Sequence, residues 1–289
     1  MNDEQLGALV AVVDEGTFEA AAGRLQITPS AVSQRIKALE RRVGLVVVQR
    51  SSPCRPTAAG DVLVRLGRQR AALDADAMDA LGHAPGVERL PVAVNADSLA
   101  TWFPAVFGTA AGWSDVALSF RVEGQDHTGG LLRSGEVVAA VTADPVAVQG
   151  CSVTRLGAMR YLPVATPALR EAHRKGNGVD WAALPTVQFN DRDDLQAAVL
   201  RRHGVEESVA THQVPSSEAF VQAVTAGLGW GMLPVAQARE ALAAGTLVRL
   251  SSTDQVDVQL HWQSWRLRTA RLDRLSAAVA EAARVLWKR

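Results

Sequence analysis

The sequence predicts an α+β chain of two domains: a small helical domain that leads into a long linker helix, and a larger α/β domain after it. Three observations carry this prediction. Apolar residues recur at helical spacing as far as residue 81. A break follows at Gly82-His83-Ala84-Pro85-Gly86, which we interpret as a hinge. Beyond it, short apolar runs alternate with helical patterns, which is typical of α/β units.

Length and composition limit the class of protein. The chain has 289 residues, 48% hydrophobic and 21% charged, and single cores stop growing near roughly 250 residues. Thirty basic residues balance thirty acidic ones, so only a local excess of charge can indicate a polyanionic partner. Cys54 and Cys151 lie far apart, with no His at metal-ligand spacing, so we expect no disulfide, metal or cofactor. The N-terminal residues include Asp3 and Glu4 where a signal peptide would have basic residues, and no apolar run is long enough to span a membrane. The sequence therefore predicts a cytoplasmic protein without membrane contact.

The first three helices are predicted from apolar spacing and from capping residues. Four apolar residues share one face of the first helix: Leu6, Leu9, Val10 and Val13. Thr17 caps a second helix that runs to Leu25. Thr28, followed by Pro29 at the first helical position, begins a third helix, which ends before Gly44.

Two further elements complete the N-terminal part. The β-branched run at 45–49 and the Ser- and Pro-rich residues after it predict a small hairpin or wing. Thr57 then begins the linker helix, which continues to residue 81. Its leucines recur near heptad spacing, so we expect this helix to pair with a second copy of the chain.

The second and third helices, with their short connection, match a helix-turn-helix, in which the later helix enters the major groove of DNA. The candidate DNA-binding residues are Thr28, Pro29, Ser30, Ser33, Gln34 and Lys37, with Arg50 and Arg55 in the wing. Ser33, Gln34 and Lys37 share one helical face and can bond to base edges or phosphates. From residue 24 to residue 60, seven basic residues stand against Glu40 alone, a net charge of +6, which favours a phosphate-facing surface. An ordinary solvated helix face is the alternative.

A longer pattern runs through this domain. It comprises Val13, Glu15-Gly16-Thr17-Phe18, Ala21-Ala22, Leu25, Ile27-Thr28-Pro29-Ser30-Ala31-Val32-Ser33-Gln34-Arg35-Ile36 and Leu39-Glu40, followed by Gln49-Arg50 and Pro56-Thr57-Ala58-Ala59-Gly60. The pattern resembles that of LysR-type transcriptional regulators. The resemblance implies a winged helix-turn-helix that binds a double-stranded DNA operator, a dimerising linker helix, and an effector domain of two periplasmic-binding-protein-like α/β subdomains. It also implies a homodimer that pairs into a homotetramer. RNA polymerase is a further possible partner of a transcriptional regulator.

These parts give the expected domain boundaries. Residues 1–57 form the winged helix-turn-helix, 58–84 the linker helix and hinge, and 85–289 the effector domain. Within the effector domain we expect half I at 88–162 and 267–289, and half II at 163–266.

Polar residues at the predicted strand ends are the candidates for small-molecule binding. Ligands of open α/β domains bind beyond the carboxyl ends of strands, and anionic groups often lie at a helix N-terminus. Asp97 and Ser98 follow the predicted strand 90–94, and Asp97 is a candidate for ligand contact. Ser98 and Thr101, with the free backbone N–H groups of the first helical turn, could hold a carboxylate. Glu123, Thr142 and Asp144 lie at the ends of other strands, where the carboxylates suit an additional cation, and together these features indicate a basic amino acid.

Three more residues are candidates for effector binding, and several candidates also have a purely structural interpretation. Phe189 and Asn190 end a further predicted strand, and Trp230 lies in a glycine-rich turn. Trp230 either walls the cleft or packs in the core. The structural alternative for Asp97 is a helix cap. For Glu123 and Asp144 it is a solvated loop position.

Four segments of the larger domain carry a narrower resemblance. They are Asn95-Ala96-Asp97-Ser98-Leu99-Ala100-Thr101-Trp102, Glu123-Gly124-Gln125-Asp126-His127-Thr128, Val148-Gln149-Gly150-Cys151, and Leu156-Gly157 with Met159-Arg160-Tyr161. They are similar to those of the arginine- and lysine-responsive LysR-type regulators, which control export of basic amino acids. The resemblance implies lysine or arginine as effector and adds Trp102 to the candidates. A LysR-type regulator of another pathway, with a different small effector, is the alternative.

Two other classes of function are weaker alternatives. Ser98, Asp126 and His127 supply the residue types of a hydrolytic triad, but the sequence has no G-x-S-x-G elbow, H-E-x-x-H or phosphate-binding loop. We therefore expect no catalytic residues. A nucleoid-type DNA-binding protein would not need a second domain of this size.

Overall fold

The computed structural model describes residues 1–83, 86–122 and 128–288. Its N-terminal part contains helices α1 (Asp3–Glu15), α2 (Phe18–Leu25), α3 (Pro29–Val43) and α4 (Ala58–Ala80), with strands β1 (Val48–Gln49) and β2 (Arg55–Pro56) between α3 and α4. The remainder contains β3 (Glu88–Val94), α5 (Ala96–Ala100), α6 (Pro104–Ala110), β4 (Val116–Val122), α7 (Thr128–Ser134), β5 (Ala139–Thr142), β6 (Cys151–Ala165), α8 (Pro167–Ala172), β7 (Arg174–Lys175), β8 (Gly178–Val179), β9 (Thr186–Gln188), α9 (Leu195–Arg202), β10 (Thr211–Gln213), α10 (Ser217–Thr225), β11 (Gly231–Pro234), α11 (Val235–Ala243), β12 (Val248–Arg249), β13 (Val256–Trp265) and α12 (Ala270–Ala282), followed by a short 3₁₀ helix, Ala283–Val285.

The N-terminal helices begin at the predicted caps. Thr17, Thr28 and Thr57 each accept a hydrogen bond from the backbone N–H three residues later, at 3.1 Å in each case. Such a cap satisfies a helix N–H that has no partner within the helix, and is worth about 1 kcal/mol. At its other end α3 stops at Gly44, which has a left-handed backbone with φ of 72°. The predicted helix-turn-helix is therefore confirmed.

A compact core joins these helices to the wing. Leu9, Val12, Val32, Ile36 and Leu39 are fully buried against one another. Strands β1 and β2 pair as an antiparallel hairpin, which confirms the wing. The start of α4 approaches this hairpin so closely that a Cβ at Gly60 would overlap the carbonyl oxygen of Val47. This contact requires a glycine at that position.

The larger domain is built on a mixed sheet with two long shared strands. Within the described residues its strand order is β11-β6-β13-β5-β3-β4, with β12 also paired to β6. Strand β3 runs parallel to β4 and β5, while all of β13 runs antiparallel to residues 151–161 of β6. We call the part around β3, β4 and β5 the first lobe, and the part around β9, β10 and β11 the second lobe. Strands β6 and β13 belong to both lobes.

The predicted fold class is confirmed, with one difference in detail. The sequence predicts a crossover strand at 161–165, whereas β6 already begins at Cys151. The N-terminal part of β6 contains Ser152, Thr154 and Arg155, so polar residues interrupt the apolar pattern there. Pairing with β13 extends the strand through this part. The exact division into two halves stays a prediction.

Helix α4 packs against the first lobe. The Arg65 guanidinium donates to the carbonyl oxygen of Gln149 at 2.8 Å, and the Asp76 carboxylate accepts from the backbone N–H of Ala270 at 3.0 Å. The same helix also exposes large apolar residues: Val62, Leu73 and Met78, with Leu81 just beyond the helix end. In the described parts of the chain no helix is long and apolar enough to cross a membrane.

Candidate functional site

Helix α3 presents a polar face to solvent. Pro29, Ser30, Gln34 and Lys37 are exposed, and Ser33 is half-buried between them. The hydroxyl of Thr28 already accepts the helix-capping hydrogen bond from Ala31. The structure therefore brings these predicted DNA-binding residues together on one accessible face, as a helix that enters the major groove requires.

The wing adds two cations beside this face. Arg50 and Arg55 are both exposed, and the Arg50 guanidinium carbon lies 5.1 Å from the centre of the Phe18 ring. This distance is within the range of a cation–π contact, which orients the arginine side chain.

Some of the basic residues counted in the sequence are paired within the chain. Arg24 forms ion pairs with Asp14 and Glu15, and Arg35 forms one with Glu4. The acidic partners lie in α1, outside the segment whose charge was counted. The local excess of positive charge is consequently smaller in the folded protein than the sequence indicates.

A pocket lies where the two lobes meet. Its volume is about 290 Å³, near the lower end of the roughly 300–1,000 Å³ that is common for small-molecule sites. The lining residues from the first lobe are Asn95, Ala96 and Asp97, and Val258 comes from β13. The lining residues from the second lobe are Phe189, Asn190, Arg192, Asp193, Asp194, Leu195, Ser217, Phe220, Met232, Leu233, Pro234 and Gln237.

Asp97 connects the two lobes at this pocket. Its Oδ2 accepts a hydrogen bond from the Tyr161 hydroxyl at 2.8 Å, and its Oδ1 accepts one from the Ser217 hydroxyl at 2.7 Å. Gln237 in turn donates to Ser217 at 3.0 Å. Asp97 therefore does not act as a helix cap, and the residue at the cap position of α5 is Asn95.

Asp193 is a second carboxylate in the pocket, and it is not among the residues that the sequence predicts. Its oxygens accept backbone N–H groups of Phe189 at 2.9 Å and Leu195 at 3.2 Å. Burial raises the pKa of Asp193 despite these donors, and the charge of Asp97 raises it further. The run Asn190-Asp191-Arg192-Asp193-Asp194, directly after a predicted strand, was the signal that could have identified it.

Of the predicted effector residues within the described parts of the chain, Asp97, Phe189 and Asn190 line the pocket. Six lie elsewhere: Ser98, Thr101, Trp102, Thr142, Asp144 and Trp230. Ser98 and Trp230 are fully buried, and Trp230 packs its edge against Trp181 with ring centres 5.1 Å apart. Trp230 is thus placed in the core instead of the cleft wall, because its ring is enclosed and packs against Trp181. Asp144 is exposed and accepts a backbone N–H from Val146 at 2.8 Å.

The expected carboxylate site at the start of α5 needs a physical correction. This helix has only five residues, and its first-turn hydroxyl, that of Ser98, is inaccessible. The Thr101 hydroxyl donates to the carbonyl oxygen of Asp97. A helix this short aligns few peptide dipoles, so its N-terminus offers little attraction for an anion. Glu123 lies outside the described residues, as do Asp126 and His127.

Two family models match the chain. The family described as bacterial regulatory helix-turn-helix protein, lysR family, matches residues 4–61, and the LysR substrate binding domain matches residues 83–287. A lysine export transcriptional regulatory protein, LysG of Corynebacterium efficiens, is 50% identical over 289 residues, covering 98% of both chains.

Solved structures resemble the whole chain. Full-length LysG of Corynebacterium glutamicum with bound effector arginine has a TM-score of 0.87 and 44% identity, and the match covers 100% of both chains. ArgP of Mycobacterium tuberculosis has a TM-score of 0.93 and 44% identity, covering 100% of this chain and 99% of that one.

Proposed function

The chain belongs to the LysR family of bacterial helix-turn-helix regulators, and we propose that it controls export of basic amino acids in response to lysine or arginine. It is accordingly a DNA-binding transcriptional regulator and not an enzyme. The observation that carries the proposal is the similarity along the full chain, at 44% identity, to a regulator with arginine bound. The regulator would act in the cytoplasm, where its operator DNA lies.

The residues on the exposed face of α3 and in the wing support two different roles in DNA binding, contact with bases and contact with phosphates. Ser33 and Gln34 have side chains that can form hydrogen bonds with base edges, while Lys37 can neutralise a phosphate. Arg50 and Arg55 lie in the wing and would contact the backbone beside the groove. Phosphate contacts position the protein, and base contacts give it specificity.

Substitutions on this face test the division. Ser33→Ala and Gln34→Ala should each weaken operator binding by about 1–3 kcal/mol and relax preference at one base position. Lys37→Gln should weaken binding to all sequences and lower the slope of log affinity against log salt by about 1. Lys288→Gln, an exposed lysine at the other end of the chain, is the matched control and should leave the slope unchanged. Equal slopes for both lysine variants would contradict a DNA-facing α3.

The acidic character of the pocket supports a basic effector. Asp97, Asp193 and Asp194 line it against Arg192 alone, a net formal charge of −2 among the described lining residues. Because the lining comes from both lobes, a ligand there changes how the lobes meet. Helix α4 contacts the first lobe through Arg65 and Asp76, so such a change reaches the DNA-binding domain. Effector control requires different affinity for the two arrangements of the lobes.

The assembly that we propose is a homodimer, itself able to pair into a homotetramer. The exposed apolar residues of α4, among which Val62 and Leu73 lie at nearly the same angle around the helix axis, support a helix-to-helix contact between two copies. A twofold dimer places two α3 helices on paired half-sites of the operator. An activator of this kind would also contact RNA polymerase.

Gel shifts and DNase footprints of the full chain test effector control. We expect lysine or arginine to change either the affinity for the operator or the length of the footprint, with alanine and glutamate as inactive controls. An unchanged affinity and footprint with both basic amino acids would overturn the proposed function.

A further inference from the structure

We infer that Asn95, Asp97 and Asp193 select the effector by its side-chain cation, which they hold between the two lobes. The inference rests on the proposed function and deepens it, because it assigns one end of the ligand to these residues. The chemical class is a guanidinium or a primary ammonium group at the end of an amino-acid side chain.

The first observation is a buried acceptor without a partner. Asn95 is 5% exposed and lines the pocket, yet its Oδ1 has no hydrogen-bond partner among the described residues. A buried carbonyl oxygen is normally paired, and an unpaired one in a folded protein calls for an explanation. A ligand with N–H donors supplies the missing partner.

The second observation is that two carboxylates from different lobes face this same space. Asp97 follows β3 of the first lobe, and Asp193 precedes α9 of the second. Hydrogen bonds hold both in place: Tyr161 and Ser217 donate to Asp97, and backbone N–H groups donate to Asp193. A carboxylate has about four lone-pair positions, so each can still accept from a ligand.

The third observation is electrostatic. Burial raises the pKa of Asp193, so its negative charge is unfavourable in the pocket, and the charge of Asp97 adds a smaller effect in the same direction. Like charges that share a site disfavour each other's ionisation, and a cation between them removes the conflict. Arg192 also lines the pocket, but its side chain is exposed and already has interactions of its own.

An organic cation fits this lining better than a metal ion. No cluster of three or more His, Cys, Asp or Glu within the described residues could hold a metal. The apolar side chains of Phe189, Phe220 and Met232 form another part of the wall. They can pack along the methylene stem of lysine or arginine while its charged end reaches the acceptors.

Because its acceptors come from both lobes, the bound cation acts as a bridge. In the structure Asp97 already reaches the second lobe through Ser217. A cation that pairs with Asp97 and Asp193 together strengthens this connection and favours the closed arrangement of the lobes. Selectivity for the cation and closure of the lobes are thus one event.

Calorimetric titration of the full chain with L-arginine, L-lysine and L-citrulline tests the inference. Citrulline has nearly the shape of arginine, but a neutral urea replaces the guanidinium. We expect the wild-type protein to bind arginine at least tenfold more tightly than citrulline. Asp193→Asn should lower the affinity for arginine at least tenfold and leave that for citrulline unchanged, so that the preference disappears.

A nearby carboxylate outside the pocket is the matched control. Asp191 lies two positions before Asp193, is exposed and is not among the lining residues. Asp191→Asn should keep the preference for arginine within a factor of two. Circular dichroism of both variants verifies that they are folded. Should Asp193→Asn be poorly folded, Asn95→Leu, which removes the unpaired acceptor, should likewise reduce the preference for arginine over citrulline.

The outcomes separate this inference from the proposed function. If arginine binds and changes DNA binding while its preference over citrulline survives in Asp193→Asn and Asn95→Leu, the inference fails and the proposed function stands. Equal binding of citrulline and arginine to the wild type also overturns the inference. If neither basic amino acid binds the protein, both fail.

Discussion

Two places in the molecule bring carboxylates together at a junction between parts, and they differ in what surrounds the carboxylates. At the join of α4 with the first lobe, Arg271 has a side-chain exposure of 4% and lies among Asp79, Glu88 and Asp115. Its Nη2 is 2.6 Å from Asp79 Oδ2, its Nη1 3.2 Å from Glu88 Oε2, and its Nε 3.1 Å from Asp115 Oδ2. At the pocket, the hydrogen bonds described above for Asp97 and Asp193 come from neutral hydroxyl and backbone N–H groups.

The difference appears in how the carboxylates titrate. A hydrogen bond from Arg274, with a smaller contribution from Arg271, lowers the pKa of Asp115, whereas burial raises that of Asp193. The junction at α4 thus has its cation built into the chain, whereas the pocket keeps an excess of negative charge that a ligand can neutralise. The first is suited to a permanent connection and the second to a ligand-dependent one.

The largest effect on stability is expected from removal of the Arg271 guanidinium at the junction of α4 with the first lobe. Arg271→Met should lower the free energy of unfolding by about 3 kcal/mol, because the partly buried carboxylates of Asp79 and Glu88 lose the buried guanidinium that pairs with them, while Asp115 keeps Arg274. Urea unfolding followed by tryptophan fluorescence measures the change. Arg268→Met removes an arginine that is 89% exposed and 3.5 Å from Asp273, and as a control it should cost no more than about 1 kcal/mol. Similar losses of unfolding free energy in both variants would mean that Arg271 contributes no more than an exposed arginine, and the contrast between the junction and the pocket would not hold.

A smaller effect is expected at the edge of the same junction. Arg274 is 39% exposed, so solvent screens its ion pair with Asp115, and Arg274→Met should cost about 1 kcal/mol. The pKa of Asp115 lies below 3.8 in the folded protein, so its contribution is present above pH 3.8 and is lost as the pH falls through the folded value. The difference between wild type and Arg274→Met should therefore be constant at neutral pH and shrink in acid. A difference that grows in acid would contradict this assignment.

The smallest effect on the free energy of unfolding is expected from Asp193 in the pocket, and its dependence on pH is opposite to that of Asp115. The pKa of Asp193 lies above 3.8 in the folded protein, so the folded state binds more protons than the unfolded state over that interval. The free energy of unfolding should decline as the pH rises from 3.8 through the folded value. Among the described residues, the ionisable groups that interact with Asp193 include Asp97 and Tyr161, and Asp194 and Arg192 also line the pocket.

Asp193→Asn tests this decline directly. The variant should lack it, so at neutral pH it should be as stable as the wild type or slightly more so. Saturating arginine should remove the decline in the wild type, because a bound cation lowers the pKa of Asp193. Unfolding curves between pH 3 and 7 measure both effects. A variant that is less stable than the wild type throughout this range would mean that Asp193 is structural.

Local patterns made the N-terminal domain predictable. Thr17, Thr28 and Thr57 cap their helices through bonds to residues three positions away. Such bonds depend only on neighbouring sequence, so periodicity and cap residues were sufficient for the helix-turn-helix and for α4. In the larger domain the strands around Asp97, Phe189 and Asn190 were predicted as well, and these three residues line the pocket.

The pocket and the junction depended on tertiary structure. Asp97 and Ser217 are 120 positions apart in the chain, and Asp79 and Arg271 are further apart still. Neither pair has a local signal, because each forms only when distant elements pack. The same packing buries Ser98 and Trp230, which the sequence offered as cleft residues.

The sequence by itself determined the DNA-reading helix, its caps and the order of the elements, since short-range hydrogen bonds and apolar periodicity encode them. Only the tertiary structure decided which carboxylates surround a buried arginine of the chain and which line a pocket open to a ligand. The physical reason is that the electrostatics of a buried charge depend on every element packed around it.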